Sequence, residues 1–177
     1  MKKTFQISSF LLLVFMTVAA YSQAPPTKVI TVPTEYNDYI VGQQNMIGEG
    51  ILNFVSVFSD TASTSADAKA KLNLVLQTTS DVIDNMNNLQ TYTPDFGLKE
   101  SAINLFTFYK RIIGTTYFAI VDEVYSTTPD TAKLDEMLKA ITEEEAGLDK
   151  AYQESQQKFA AENKFTLEDN KLEEKFK

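Results

Sequence analysis

Residues 66–90, ADAKAKLNLVLQTTSDVIDNMNNLQ, decide the fold. Ala68, Leu72, Val75, Leu76, Val82, Ile83, Met86 and Leu89 recur at steps of three and four, the period of one helical face and not the alternation of a strand. Just upstream, Thr64 or Ser65 can accept from an orphan amide as an N-cap, and Asp67 suits the positive end of the helix dipole. A helix with one apolar face is marginal alone in water and must bury that face against partners.

Three further segments supply those partners. Over 34–59, Tyr36, Ile40, Ile47, Ile51, Phe54, Val55 and Phe58 form a stripe, with Gln43 or Gln44 in its one gap and Thr34 as the expected cap. Gly42, Gly48 and Gly50 weaken this helix or mark a close neighbour. Over 98–125 the stripe is Ala102, Leu105, Phe106, Tyr109, Ile112, Ile113, Ile120 and Val124, with Gly114 placed to permit a close crossing. Over 131–163 it is Leu134, Met137, Leu138, Ile141, Leu148, Tyr152 and Phe159, and Thr128-Pro129 reads as a cap followed by proline. Short turns join rods of matched length, so neighbours in sequence run antiparallel. The expectation is an all-α protein, an up-down-up-down antiparallel four-helix bundle over 34–163.

Residues 1–22 read as a secretory signal peptide in front of that bundle: Lys2 and Lys3, then the apolar run Phe10–Ala20, with Ala20 and Ser22 at the −3 and −1 positions before Gln23. The apolar run is shorter than the ~20 residues of a membrane span, so stable insertion after cleavage is not expected. Residues 23–33 form an extended lead, and 164–177 a charged tail carrying Phe165, Leu167, Leu172 and Phe176. The reading is a secreted, periplasmic or cell-surface protein. It has no cysteine, so disulfides contribute nothing and core burial must hold the fold.

The composition removes more chemistry than it offers. Among 177 residues there is no His and no Cys, which excludes Ser-His and Cys-His nucleophiles, zinc fingers and the Glu-x-x-His di-iron motif. The formal net charge of -8 becomes −10 without Lys2 and Lys3, and so acidic a chain is repelled by nucleic acid. No cofactor or metal is expected. Glu143-Glu144-Glu145 and Asp122-Glu123 are the densest acidic spots, and neighbours on a helix diverge by about 100°, so a solvated face is expected over a weak Ca²⁺ site. A carboxylate-dependent hydrolase would need two acids facing one cleft.

Two candidate sites remain. Continuing segment 98–125 at about 100° per residue puts Arg111, Asp122 and Phe118 opposite the apolar seam, with Phe108 roughly 120° from it. Phe108, Arg111, Phe118 and Asp122 thus form a candidate protein-contact patch, unless Phe165 or Leu172 of the tail covers the rings. At one end of the bundle, Tyr36, Tyr39, Tyr92, Phe96 and Phe159 converge, either as a small-ligand pocket or as ordinary core.

The leader end Ala20-Tyr21-Ser22-Gln23-Ala24 and the run Glu35-Tyr36-Asn37-Asp38-Tyr39-Ile40-Val41-Gly42-Gln43-Gln44 resemble small secreted or surface helical proteins of Bacteroidetes and spirochaetes. That resemblance implies an exported helical protein and no activity. The expected function is a non-enzymatic binding or structural module at the cell envelope. Its partner is an unknown envelope protein, and a homo-oligomer is open. The alternative is a periplasmic small-ligand carrier using the tyrosine-rich end.

Overall fold

The computed structural model describes residues 27–168; the expected signal peptide and the end of the tail lie outside them. The described chain is all-helical: α1 (Pro33–Phe58), α2 (Ser65–Asn88), α3 (Leu98–Ile112), a π-helical turn (Ile113–Tyr117), α4 (Phe118–Val124) and α5 (Thr131–Glu162). α3, the π turn and α4 follow one another without a break, so four rods result. Among the described residues there is no strand, only an isolated bridge in which Lys28 N–H donates to Asn88 O at 2.9 Å and Gln90 N–H to Lys28 O at 2.8 Å.

The helix ends follow local chemistry. Thr64 caps α2 in a reciprocal box, its hydroxyl accepting from the Asp67 amide while the Asp67 carboxylate accepts from the Thr64 amide. Thr34 does not cap α1; Pro33 already occupies the first turn and Val32 holds the cap position without a side-chain bond. Asp130, one residue beyond the expected Thr128-Pro129 pair, caps α5 by accepting from the Lys133 amide. At α3 the Asp95 carboxylate accepts from Gly97 and Lys99 amides, while Gly97 itself sits at φ 85°, in the left-handed region glycine tolerates best.

α5 ends in a Schellman turn: Lys164 takes φ 59°, its amide donates to Ala161 O and the Phe165 amide to Ala160 O. Phe165 is thereby turned back onto Phe159, 5.9 Å between ring centroids. The described part of the tail covers that end and not Phe118.

Cross-helix bonds fix the register. Gln43 accepts from Asn85, Lys69 pairs with Asp122, Ser101 meets Ser155 at 2.6 Å, and Lys133 meets Glu123 at 2.6 Å. Two hydrophobic cores follow along the rods. One gathers Tyr36, Ile40, Met86, Leu98, Phe106 and Phe159; the other gathers Phe54, Leu72, Val75, Phe108, Ile113 and Val121. Ile51, Tyr109 and Leu148 pack against both and mark the waist between them.

The π turn alters the expected phase of the third rod. The extra residue per turn brings Val121 fully into the core and leaves Val124, expected in the stripe, 38% exposed. Leu138 and Val55 of the other stripes are likewise on the surface. Gly114 is not required for close crossing, because a Cβ there would meet Leu76 at an ordinary 3.5 Å.

Candidate functional site

A cavity of about 600 Å³ opens at the waist between α1 and α5, within the usual range for small-molecule sites. α1 supplies one wall through Ile47, Gly48, Ile51 and Val55, with the polar Gln44 and Asn45 beside them. Tyr109 and Ile112 of α3 and Tyr117 of the π turn also line it. α5 gives the opposite wall: Thr142, Glu145, Ala146 and Asp149. The π turn matters here because it sets the phase at which Tyr117 meets the cavity, and its ring stands edge-on to Phe54 at 6.0 Å.

Among the described residues the charge lining this cavity is all negative. Tyr109 donates its hydroxyl to Oε1 of Glu145 at 2.9 Å, and Gln153 donates to Oδ2 of Asp149 at 2.7 Å. Burial raises the Asp149 carboxyl above its ordinary value, since the charged form loses hydration there. Burial, then the Glu145 charge, raises both the Tyr109 and Tyr117 phenols, so both rings are neutral donors at physiological pH. Tyr152, one turn beyond Asp149 on α5, is 2% exposed; its hydroxyl has no protein partner, and its phenol is raised by burial and by the Asp149 charge.

The residues expected to form a protein-contact patch do not form one continuous surface. Phe108 is buried at 4% exposure in the second core, beneath the Arg111 guanidinium at 5.3 Å, and so presents no contact face. Arg111 is exposed but ion-paired with Glu144 of α5; Asp122 is exposed and ion-paired with Lys69 of α2. Phe118 is half-buried against the second core. The π turn shifts residues beyond Ile112 off a 100° progression and so accounts for Phe118, whereas Phe108 precedes the turn and is buried because the second core reaches round to it.

At the tyrosine-rich end the rings do converge, but on one another. Tyr36, Tyr92 and Phe159 form a mutual triangle with centroids 5.4–5.6 Å apart, and Tyr36 is fully buried. Burial pushes the Tyr36 phenol up to about 12. Tyr39 and Phe96 lie at the edge of this cluster, beneath Lys28 at 4.2 Å and Lys158 at 5.2 Å. This is packing of the core type, with cations capping its rim.

The acidic spots diverge. Glu143 lies near Lys139, Glu144 pairs with Arg111, and Glu145 turns to Tyr109. Glu123 is engaged by Lys133 and the Asp130 amide, which lower its pKa. Among the described residues no group of three metal-ligating side chains gathers. Glu145 and Asp149 do share one cleft, yet they stand on one helix four residues apart. They occupy a single wall and do not flank a bond from two sides, as glycosidic acid–base pairs do.

Sequence reasoning missed Tyr109, Tyr117, Glu145 and Asp149 as a set. The signal was present as two gaps: the α1 stripe skips from Ile40 to Ile47 across Gln43 and Gln44, of which Gln43 is buried against Asn85 and Gln44 lines the cavity, and the α5 stripe skips from Ile141 to Leu148 across Glu145. Polar residues at apolar positions of facing helices predict a wet, uneven seam. No helix among the described residues is long and apolar enough to cross a membrane. No protein family, curated protein or solved structure matches the chain.

Proposed function

We propose that this chain is an exported, non-enzymatic up-down-up-down four-helix bundle acting at the cell envelope as a binding module, and that it holds a small ligand in the waist cavity. The observation carrying this reading is the cavity itself: about 600 Å³, lined by Ile47, Ile51 and Val55 of α1 with the polar Gln44 and Asn45 beside them, by Tyr109 and Ile112 of α3, and by a polar, acidic wall on α5. The antiparallel arrangement is supported by the pairs along each interface. Ser101–Ser155, Tyr109–Glu145 and Glu123–Lys133 ascend on the third rod and descend on α5, as Gln43–Asn85 and Gly50–Val75 do for α1 and α2. Export is supported by the leader, Lys2-Lys3 followed by Phe10–Ala20. The non-enzymatic reading is supported by the missing His and Cys and by the one-sided placement of Glu145 and Asp149.

This carrier site differs from the one expected at the tyrosine-rich end, where the rings are spent on packing against each other. The protein-contact reading is less favoured, because Phe108 is buried and Arg111 and Asp122 are already paired. Native mass spectrometry of protein purified from its host tests the choice. A retained small molecule that is lost in Ala146→Trp, which places a large ring on an exposed wall position, supports the carrier. A co-purifying protein that survives Ala146→Trp and is lost in Phe118→Ala/Arg111→Ala restores the surface patch and removes this reading.

A further inference from the structure

Building on the waist cavity as a ligand site, we infer that its ligand is an organic cation, an ammonium group carried on an apolar body. The lining names the chemistry. Among the described residues the charged side chains lining it are Glu145 and Asp149, and no Lys or Arg lines it. On one helix face these two stand about 5–6 Å apart at Cβ, so one ammonium can bridge both. Each is already oriented by a neighbour, Tyr109 on Oε1 of Glu145 and Gln153 on Oδ2 of Asp149, which leaves a second oxygen on each for a ligand N–H. The aromatic rings of Tyr109 and Tyr117 supply the electron-rich faces that attract cations. Ile47, Ile51 and Ile112 then accept the apolar body, and its burial is the larger part of the affinity.

The alternatives fail on charge or geometry. An anion meets two carboxylates and no counter-charge. A neutral apolar ligand closes the cavity over Asp149 and strips its water without replacing it, at a site where burial already disfavours the charged form. Calcium or magnesium needs six or more oxygens and zinc three or four protein ligands, and no group of three ligating side chains gathers among the described residues. An organic cation satisfies the carboxylates and the apolar wall together.

Three probes of one shape and different charge test this by calorimetry on the purified chain near neutral pH: phenethylamine, phenethyl alcohol and phenylacetate. The amine is expected to bind roughly tenfold tighter than the alcohol, and phenylacetate weakest. Glu145→Gln and Asp149→Asn, each checked for an unchanged thermal melt, should bring the amine down to the alcohol. A single one of them that keeps its melt is sufficient. Ala146→Trp should abolish binding of both. Equal binding of amine and alcohol, or amine binding indifferent to the carboxylate variants, overturns the cation inference while the cavity reading stands. Failure of all three probes, or binding that Ala146→Trp leaves intact, removes the cavity reading itself.

Discussion

The Tyr109 hydroxyl donates to Glu145 across the α3–α5 interface at 2.9 Å, tying the wall of the waist cavity to the residue that touches both cores. Tyr109→Phe keeps the ring and removes only that bond. Its expected cost is about 1 kcal/mol, the usual net worth of such a bond. Urea unfolding followed by far-ultraviolet circular dichroism measures it; a midpoint equal to the parent's shows the bond adds nothing.

Alkaline pH should unfold the protein through its tyrosines. Tyr36, Tyr109, Tyr117 and Tyr152 all have phenols raised chiefly by burial above the ordinary 10.0. Once the pH passes about 10 the unfolded chain loses these protons and the folded chain keeps them, so stability is undiminished below that value and falls steadily above it. Tyrosinate absorbance and loss of helicity should therefore rise together as one cooperative step. Tyr152→Phe removes one of these groups along with a hydroxyl that has no protein partner. It should shift that step to higher pH and keep or improve stability at pH 7; an earlier transition contradicts the assignment.

Acid acts at the other end of the scale. Thr64→Ala removes a reciprocal cap and should cost about 1 kcal/mol near neutrality. Hydrogen bonds from the Thr64 side chain and backbone lower the Asp67 pKa below its ordinary 3.8. That contribution is present above the unfolded value and lost as the pH falls through the folded one. The gap between parent and Thr64→Ala should therefore narrow below about pH 3.8. Thermal melts of both proteins across this range measure it, and a gap that widens on acidification refutes the linkage.

Two glycines should respond in opposite directions. A Cβ at Gly42 meets nothing within 4 Å, so Gly42→Ala should stabilise α1 by about 0.5–1 kcal/mol through helix propensity. Gly97 stands at φ 85°, so Gly97→Ala should cost about 1–2 kcal/mol through left-handed strain. Chemical denaturation of the pair gives both signs, and like signs would refute the backbone argument.

The rods were legible because burial follows the 3.6-residue period closely: Ala68, Leu72, Val75, Val82, Met86 and Leu89 are all core. The polar Thr79, also buried, was not legible; its hydroxyl is satisfied within its own helix by Val75 O at 2.7 Å, which no spacing rule registers. The candidate sites were least legible for a related reason. A constant angle per residue carries Phe118 to the wrong face once the π turn inserts its extra residue, and nothing in Gly114-Thr115-Thr116 signals a π turn over an ordinary weak helix. The cavity arises where the stripes of α1 and α5 each fall short opposite α3, so no single stripe contains it.

Lys28 bridges to the end of α2 and sits over Tyr39, while Phe165 folds onto Phe159, so the first and last described segments leave the rods at one pole. The loops 59–64 and 125–130 occupy the other, where Phe58 meets Tyr125. A tether or fusion attached through either flank therefore holds the molecule by the same foot. The waist opening lies between the two poles, away from the points where both described flanks leave the rods.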